Sequence, residues 1–168
     1  MKRLVLPMSI ALVCGAAVAA NTAKDHDFAI KAAQGGKAEV DMGQLAASRA
    51  SDPKVKEFGQ KMATDHAKAN DELQAVASND GINLPDDASK QQKAAAEKLG
   101  KLQGADFDKE YAHMMVKDHE EDVALFKKEA TSGSNPALKA YAQKTLPTLE
   151  EHLRMARELP AGSKASRH

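Results

Sequence analysis

Residues 52–81 read DPKVKEFGQKMATDHAKANDELQAVASNDG. Asp52 suits an N-cap, because its short side chain can accept from the backbone N–H groups that open a helix. Pro53 takes the first helical position, where its missing N–H costs nothing. Val55, Phe58, Met62, His66, Ala69, Leu73 and Val76 then recur at the spacing of one buried helical face. Asn79-Asp80-Gly81 ends the helix. A helix with one long apolar stripe must bury it against other helices, and this stripe contains a histidine.

The flanking segments supply those partners. A first long helix is expected from about Asp27, as N-cap, to Ser51, with Phe28, Ala32, Gly35, Met42, Gly43, Ala46 and Ala50 on its inner face. The Gly35-Gly36 pair weakens it locally but lets another helix come close. After a connector from Ile82 to Ser89, Lys90 to Leu102 reads as a short amphipathic helix with Ala94, Ala95, Leu99 and Leu102 inward. Gly104 breaks the chain, and a third long helix runs from about Asp106 to Thr131 on Phe107, Tyr111, Met114, Met115, Leu125, Phe126 and Ala130. Asn135 and Pro136 cap and open a fourth, carrying Leu138, Tyr141, Ala142, Leu146, Leu149, Leu153, Ala156 and Leu159. Pro147 should kink that helix and Pro160 stop it. No strand pattern competes. The expected fold is all-α, a four-helix bundle with an extra short helix between the second and third long ones.

The bundle brings the histidines to one depth. The turn at Asp52 makes the first two helices antiparallel, and Glu39 and His66 each lie about 20 Å from it at ~1.5 Å per residue. Across the turn at Gly133, His119 and His152 fall within about one helical turn of a common height. Asp122 lies near the centre of the apolar arc of its helix, and Asp65 and Asp118 immediately precede two of the histidines. An ionisable group on a buried stripe is costly unless a partner or a metal satisfies it. Glu39, His66, His119, Asp122 and His152 are therefore the expected ligands of a divalent transition metal (Zn, Fe, Mn or Cu), flanked by Asp65 and Asp118. Met62, Met115 and Met155 each stand one turn from a histidine, a pattern that suits copper but equally suits core filling. The competing reading is a metal-free polar core.

The first twenty residues have the features of a secretory leader: Lys2 and Arg3, an apolar run from Leu4 to Val13, then small residues with cleavage expected after Ala19 or Ala20. Lipid anchoring at Cys14 is the less favoured alternative, since Ala11-Leu12-Val13 offers no small residue just before the cysteine. Cys14 is the single cysteine, so the mature chain has neither disulfide nor thiolate site. Loss of Lys2 and Arg3 moves the net charge from 0 to −2, leaving 22 basic against 24 acidic residues. With charges interspersed and no basic stripe, nucleic acid is not an expected partner. No later segment can cross a membrane as a helix, and a homo-oligomer is left open. The expected domain is residues 21–160, with 161–168 a polar, disordered tail.

A family resemblance rests on Phe107-Asp108-Lys109-Glu110-Tyr111, Met115-Val116-Lys117-Asp118-His119, Leu146-Pro147-Thr148-Leu149 and Glu151-His152-Leu153, continued by Leu45-Ala46, Lys54-Val55-Lys56, Phe58 and Met62 to His66. These resemble a bacterial exported family, catalogued as a domain of unknown function and placed among the ferritin-like helical bundles. Its members are described as periplasmic or outer-membrane proteins. The resemblance implies the bundle and an exported, periplasmic or secreted, location, and it brings no activity. Di-iron enzymes of ferritin-like fold carry Glu-x-x-His on two helices. Here the residues three before His66, His119 and His152 are Ala63, Val116 and Leu149, so ferroxidase or oxygenase chemistry is not carried over. Nor is there a nucleophile elbow or phosphate loop.

The resulting expectation is an exported ferritin-like bundle, more a binding protein than an enzyme, that holds a divalent transition metal for buffering or envelope stress protection. Its rival is a non-enzymatic envelope structural or interaction protein with a metal-free polar histidine core. An unrecognised oxidoreductase is a third, weaker reading.

Overall fold

The structure is a computed structural model and describes residues 14–160, with side chains from residue 23. Five helices and no strand occur among the described residues: α1 (Cys14–Arg49), α2 (Pro53–Asn79), α3 (Lys90–Leu99), α4 (Gly104–Ser132) and α5 (Pro136–Glu158). The leader up to residue 13 and the tail 161–168 lie outside the described residues. The expected cleavage point falls within α1.

Local chemistry places most helix ends where the sequence puts them. The Asp52 side chain accepts from Lys54 N at 2.7 Å, and the Asn135 side chain accepts from Ala137 N and Leu138 N at 2.9 and 3.0 Å. Gly81, at φ 68°, follows α2, and Gly104, at φ 57°, opens α4. Ser89 and Gln92 form a capping box at α3. Two expectations need correction. Helix α1 does not start at an Asp27 cap, since the chain is already helical from the first described residue, Cys14: residues 15–23 are rich in alanine, which sustains a helix, and Asp27 pairs instead with Lys31 on the surface. Helix α3 ends at Leu99, where Gly100 caps it, short of Leu102. Its inner face is Ala95, Ala96 and Leu99, and Ala94 is exposed. Pro147 sits on the exposed side of an α5 that continues past it.

The long helices form a ring in which α1 packs on α2 and α4, and α5 packs on α4 and α2. Two apolar clusters fill the ring. One holds Met42, Ala46, Val55, Phe58, Met62, Phe107, Tyr111, Met115 and Ala156. The other holds Phe28, Ala32, Leu73, Phe126, Leu138, Tyr141 and Leu149. Helices α2 and α4 both run from the first cluster to the second, so they are parallel, and the segment 82–103 carrying α3 crosses the length of the bundle to join them. One long crossover between two antiparallel hairpins is the ferritin-like arrangement.

Close approach of α1 and α2 depends on two glycines. A Cβ on Gly43 would lie 2.6 Å from the Gly59 carbonyl oxygen, and one on Gly59 2.8 Å from that of Gly43. Buried acids tie the turns from a third helix. Asp108 on α4 accepts from Ser51 N and Asp52 N at 2.9 and 2.8 Å, and from the Ser51 hydroxyl. Asp25 on α1 accepts from Ser134 N and Asn135 N at 3.1 and 2.8 Å.

Candidate metal centre

Between the two apolar clusters each long helix contributes a polar side chain: Glu39 from α1, His66 from α2, His119 from α4 and His152 from α5. All four are buried, at 1%, 5%, 0% and 1% exposure, and so are shielded from bulk solvent. The three rings meet, with centroids 5.6 Å apart for His66 and His119 and 5.4 Å for each with His152.

Each ring has one nitrogen engaged. His119 Nδ1 lies 2.9 Å from the Met115 carbonyl oxygen, which can only accept, so Nδ1 carries the hydrogen. It also lies 3.2 Å from Glu39 Oε1. His66 Nδ1 is 3.0 Å from Glu39 Oε2. These two contacts are ion-pair distances without hydrogen-bond alignment, since both Glu39 oxygens lack a hydrogen-bond partner. His152 Nε2 donates to Asp65 Oδ2 at 2.8 Å, and Lys61 holds the same oxygen at 2.7 Å. The nitrogens left over are His66 Nε2, His119 Nε2 and His152 Nδ1, all buried and without a hydrogen-bond partner. One ligand atom from each ring lies within 4.8 Å of the others.

Electrostatics follow from burial and from Glu39. Burial would raise the Glu39 carboxyl, but the His119 and His66 rings hold it down at about 2. Burial lowers His66, yet the adjacent Glu39 outweighs it and leaves that imidazole above its usual value. Burial wins at His119, which is lowered, and at His152, which falls to about 4 against the pull of Asp65. Neutral rings with a free lone pair are the metal-binding form of histidine.

The remaining expected residues lie around this cluster. Asp65 is the partner of His152 and is lowered: its partial burial raises it, and its bonds to Lys61 and His152 prevail. Asp122 is half-buried, raised well above the usual carboxylate range by burial and by the charge of Glu39. Asp118, also half-buried, is pushed up to about 6 by the same two causes. Met62 and Met115 lie in the adjoining apolar cluster, with Met155 packed against it. Sequence reasoning missed Tyr111, whose buried hydroxyl has no partner and is raised by burial and Glu39. It missed the Met115 carbonyl as well. The i−4 relation of Met115 to His119 was the available signal, since a helical side chain leans back over that turn.

Taken together, the crossover connection and the buried polar layer define a ferritin-like helical bundle with a trihistidine cluster at mid-height. The chain belongs to the family described as Domain of unknown function (DUF4142), whose pattern matches residues 14–159. No curated protein matches it. Among solved structures it is similar to the crystal structure of a DUF305 protein of Streptomyces coelicolor, described as a candidate secreted protein. The two share 19% identity and a TM-score of 0.70, over 86% of this chain and 98% of that one. That likeness concerns the fold.

Proposed function

We propose that the protein binds one divalent transition metal through His66 Nε2, His119 Nε2 and His152 Nδ1, and serves the bacterial envelope as a metal-buffering or stress-protective protein. The observation that carries this reading is the pairing of roles within each ring. One nitrogen lies against a carboxylate or carbonyl, the other is buried and unpartnered, and the three rings offer ligand atoms within 4.8 Å of one another. A buried unpartnered polar atom costs about 1–3 kcal/mol, and one ion would satisfy all three nitrogens at once. Metal-bound histidines characteristically have their outer nitrogen fixed in this way.

On this reading Glu39 and Asp65 orient the ligating rings, and Asp122 stands outside the nitrogen set. Three imidazole donors, His66 giving up its proton on binding, suit Zn and Cu, with Fe next, better than Mn, which prefers oxygen. A tetrahedral ion at about 2.0–2.1 Å from each nitrogen places the nitrogens roughly 3.4 Å apart, so the rings close in slightly on binding. The fourth position falls to water or another small ligand. Among the described residues no helix is long and apolar enough to cross a membrane, and the exported location is drawn from the leader. The mature domain on this reading spans residues 21–160.

Elemental analysis of protein recovered from the envelope, beside a His66→Ala/His119→Ala double variant, tests the proposal. One equivalent of metal in the natural protein and none in the variant is expected. Equal content rejects it. The metal-free alternative draws on the close contacts of Glu39 to His66 and His119, which can form a charge-paired network without an ion. It requires a melting temperature indifferent to added metal.

A further inference from the structure

The three ligating nitrogens are sealed from solvent, so an ion needs a way in. A cleft of about 750 Å³ opens between α1, α3 and α4, and its walls include Asp118, Asp122, Glu110, Glu121 and Gly35. A second cavity, about 20 Å³, lies deeper in the bundle beside His66 and His152, lined also by Asp65, Asn70, Thr145 and again Asp122. That is room for about one water molecule, with several polar groups to bind it. Asp122 is the acidic side chain common to both cavities. It thus stands between an open vestibule of mixed charge and the chamber next to the imidazoles.

The Gly35-Gly36 pair fits this arrangement. A Cβ on Gly35 would come within 3.6 Å of Asp122 Oδ1, so the bare backbone leaves the cleft side of that carboxyl clear. A Cβ on Gly36 would lie 2.1 Å from Asn70 Oδ1, so only glycine lets that amide occupy its place at the inner cavity. The cleft also carries His113, Lys98, Lys31 and Lys117, and two of these lysines have carboxylate partners, one of them the cleft's own Glu121. Lys117 is paired with Glu121 at 2.9 Å, and Lys31 with Asp27 at 2.7 Å.

We infer that Asp122 is the inlet of the metal centre: a hydrated divalent cation collects in the α1–α3–α4 cleft and passes the Asp122 carboxyl, with Asp118 as an outer oxygen donor, to reach His66 and His152. This rests on the trihistidine reading and adds a route to it. Asp122 is a loading residue and not one of the three nitrogen donors, so the inference separates rate from affinity. Burial and Glu39 raise the Asp122 carboxyl in the metal-free protein, so it releases its proton as the cation arrives and then supplies an anionic oxygen that Asn lacks. In a cleft of mixed charge the gain in association lies near the lower end of the roughly 10- to 1000-fold range for charged clefts.

The test is stopped-flow uptake of Zn²⁺ by the mature chain, monitored with a chromophoric chelator, together with equilibrium affinity. Asp122→Asn is expected to slow association about tenfold and leave affinity within a few-fold of the natural protein. Asp118→Asn is expected to slow it less. Gly35→Leu, which places a side chain in the cleft beside Asp122, provides a steric check should Asp122→Asn fold poorly, and must also slow loading. Unchanged rates in the variants overturn the inference while leaving the trihistidine site standing, and so does a loss of affinity at an unchanged rate. A natural protein that takes up no Zn²⁺ overturns both.

Discussion

His152 Nε2 on α5 lies 2.8 Å from Asp65 Oδ2 on α2, and Lys61 holds the same carboxylate oxygen one turn earlier. The contact fixes the tautomer of His152, because an ionised carboxylate only accepts, and so leaves Nδ1 with a lone pair inside the bundle. Asp65→Asn weakens that constraint while preserving shape. Metal affinity is expected to fall about 10- to 100-fold, measured by competition with a chelator, while far-ultraviolet dichroism stays unchanged. An affinity equal to that of the natural protein would show that Asp65 does not orient the ring.

The α1–α2 crossing gives a prediction independent of any metal. In Gly43→Ala the added methyl meets the Gly59 carbonyl oxygen at 2.6 Å and Ala63 N at 2.8 Å, both backbone atoms that cannot rotate away. Overpacking of this kind costs about 1–3 kcal/mol, or roughly 2–4 °C of melting temperature per kcal/mol at this size. Gly81→Ala provides a contrast: a Cβ there meets nothing within 4 Å, so any cost comes from its φ of 68° alone. Calorimetry that finds Gly43→Ala as stable as the natural protein would contradict the packing described.

Glu129 offers a pH dependence remote from the histidines. Burial, then the nearby Asp25, raise its carboxyl to about 7, and its Oε1 is buried without a partner. A carboxyl raised on folding stabilises fully below its unfolded value near 4.5, and that contribution is lost as pH rises through about 7. Glu129→Gln is therefore expected to stabilise the protein at pH 8, by about 1–2 kcal/mol, and to change little at pH 5. Parallel melting curves for the two proteins at both pH values would show that Glu129 ionises normally in the fold.

For the metal-free protein, His152 gives the opposite sign. Its folded value of about 4 lies below the ordinary 6.5. The stability tied to its neutral form is present above 6.5 and lost as pH falls toward 4. Histidine-selective NMR is expected to show His152 titrating near 4 and His66 above 6.5, the latter held up by Glu39. Two rings titrating together at the ordinary value would mean that the buried layer is open to water.

Much of this molecule can be read in its sequence, for identifiable reasons. Asp52-Pro53 and Asn135-Pro136 determine two helix starts through local chemistry alone, and the common depth of His66, His119 and His152 follows from helical rise and two short turns. The side-chain partnerships are less visible. Glu39 reads in the sequence as a ligand, and its contacts with His66 and His119 are not visible there, because helical rise fixes the height of a residue but not which oxygen faces which nitrogen. The turn-binding roles of Asp25 and Asp108 depend on contacts across more than fifty residues of chain, beyond the reach of any local signal. The start of α1 was misplaced because Asp27 has the chemistry of a cap, whereas the alanine-rich segment before it is simply helical.

Cobalt(II) substitution tests the central proposal most directly, since four-coordinate cobalt with nitrogen donors absorbs intensely in the visible and hexa-aqua cobalt scarcely at all. The mature protein is expected to develop that spectrum at one equivalent, and the single variants His66→Ala, His119→Ala and His152→Ala each to weaken or abolish it. Absence of the bands in the natural protein, or their survival in all three variants, would contradict a trihistidine metal centre.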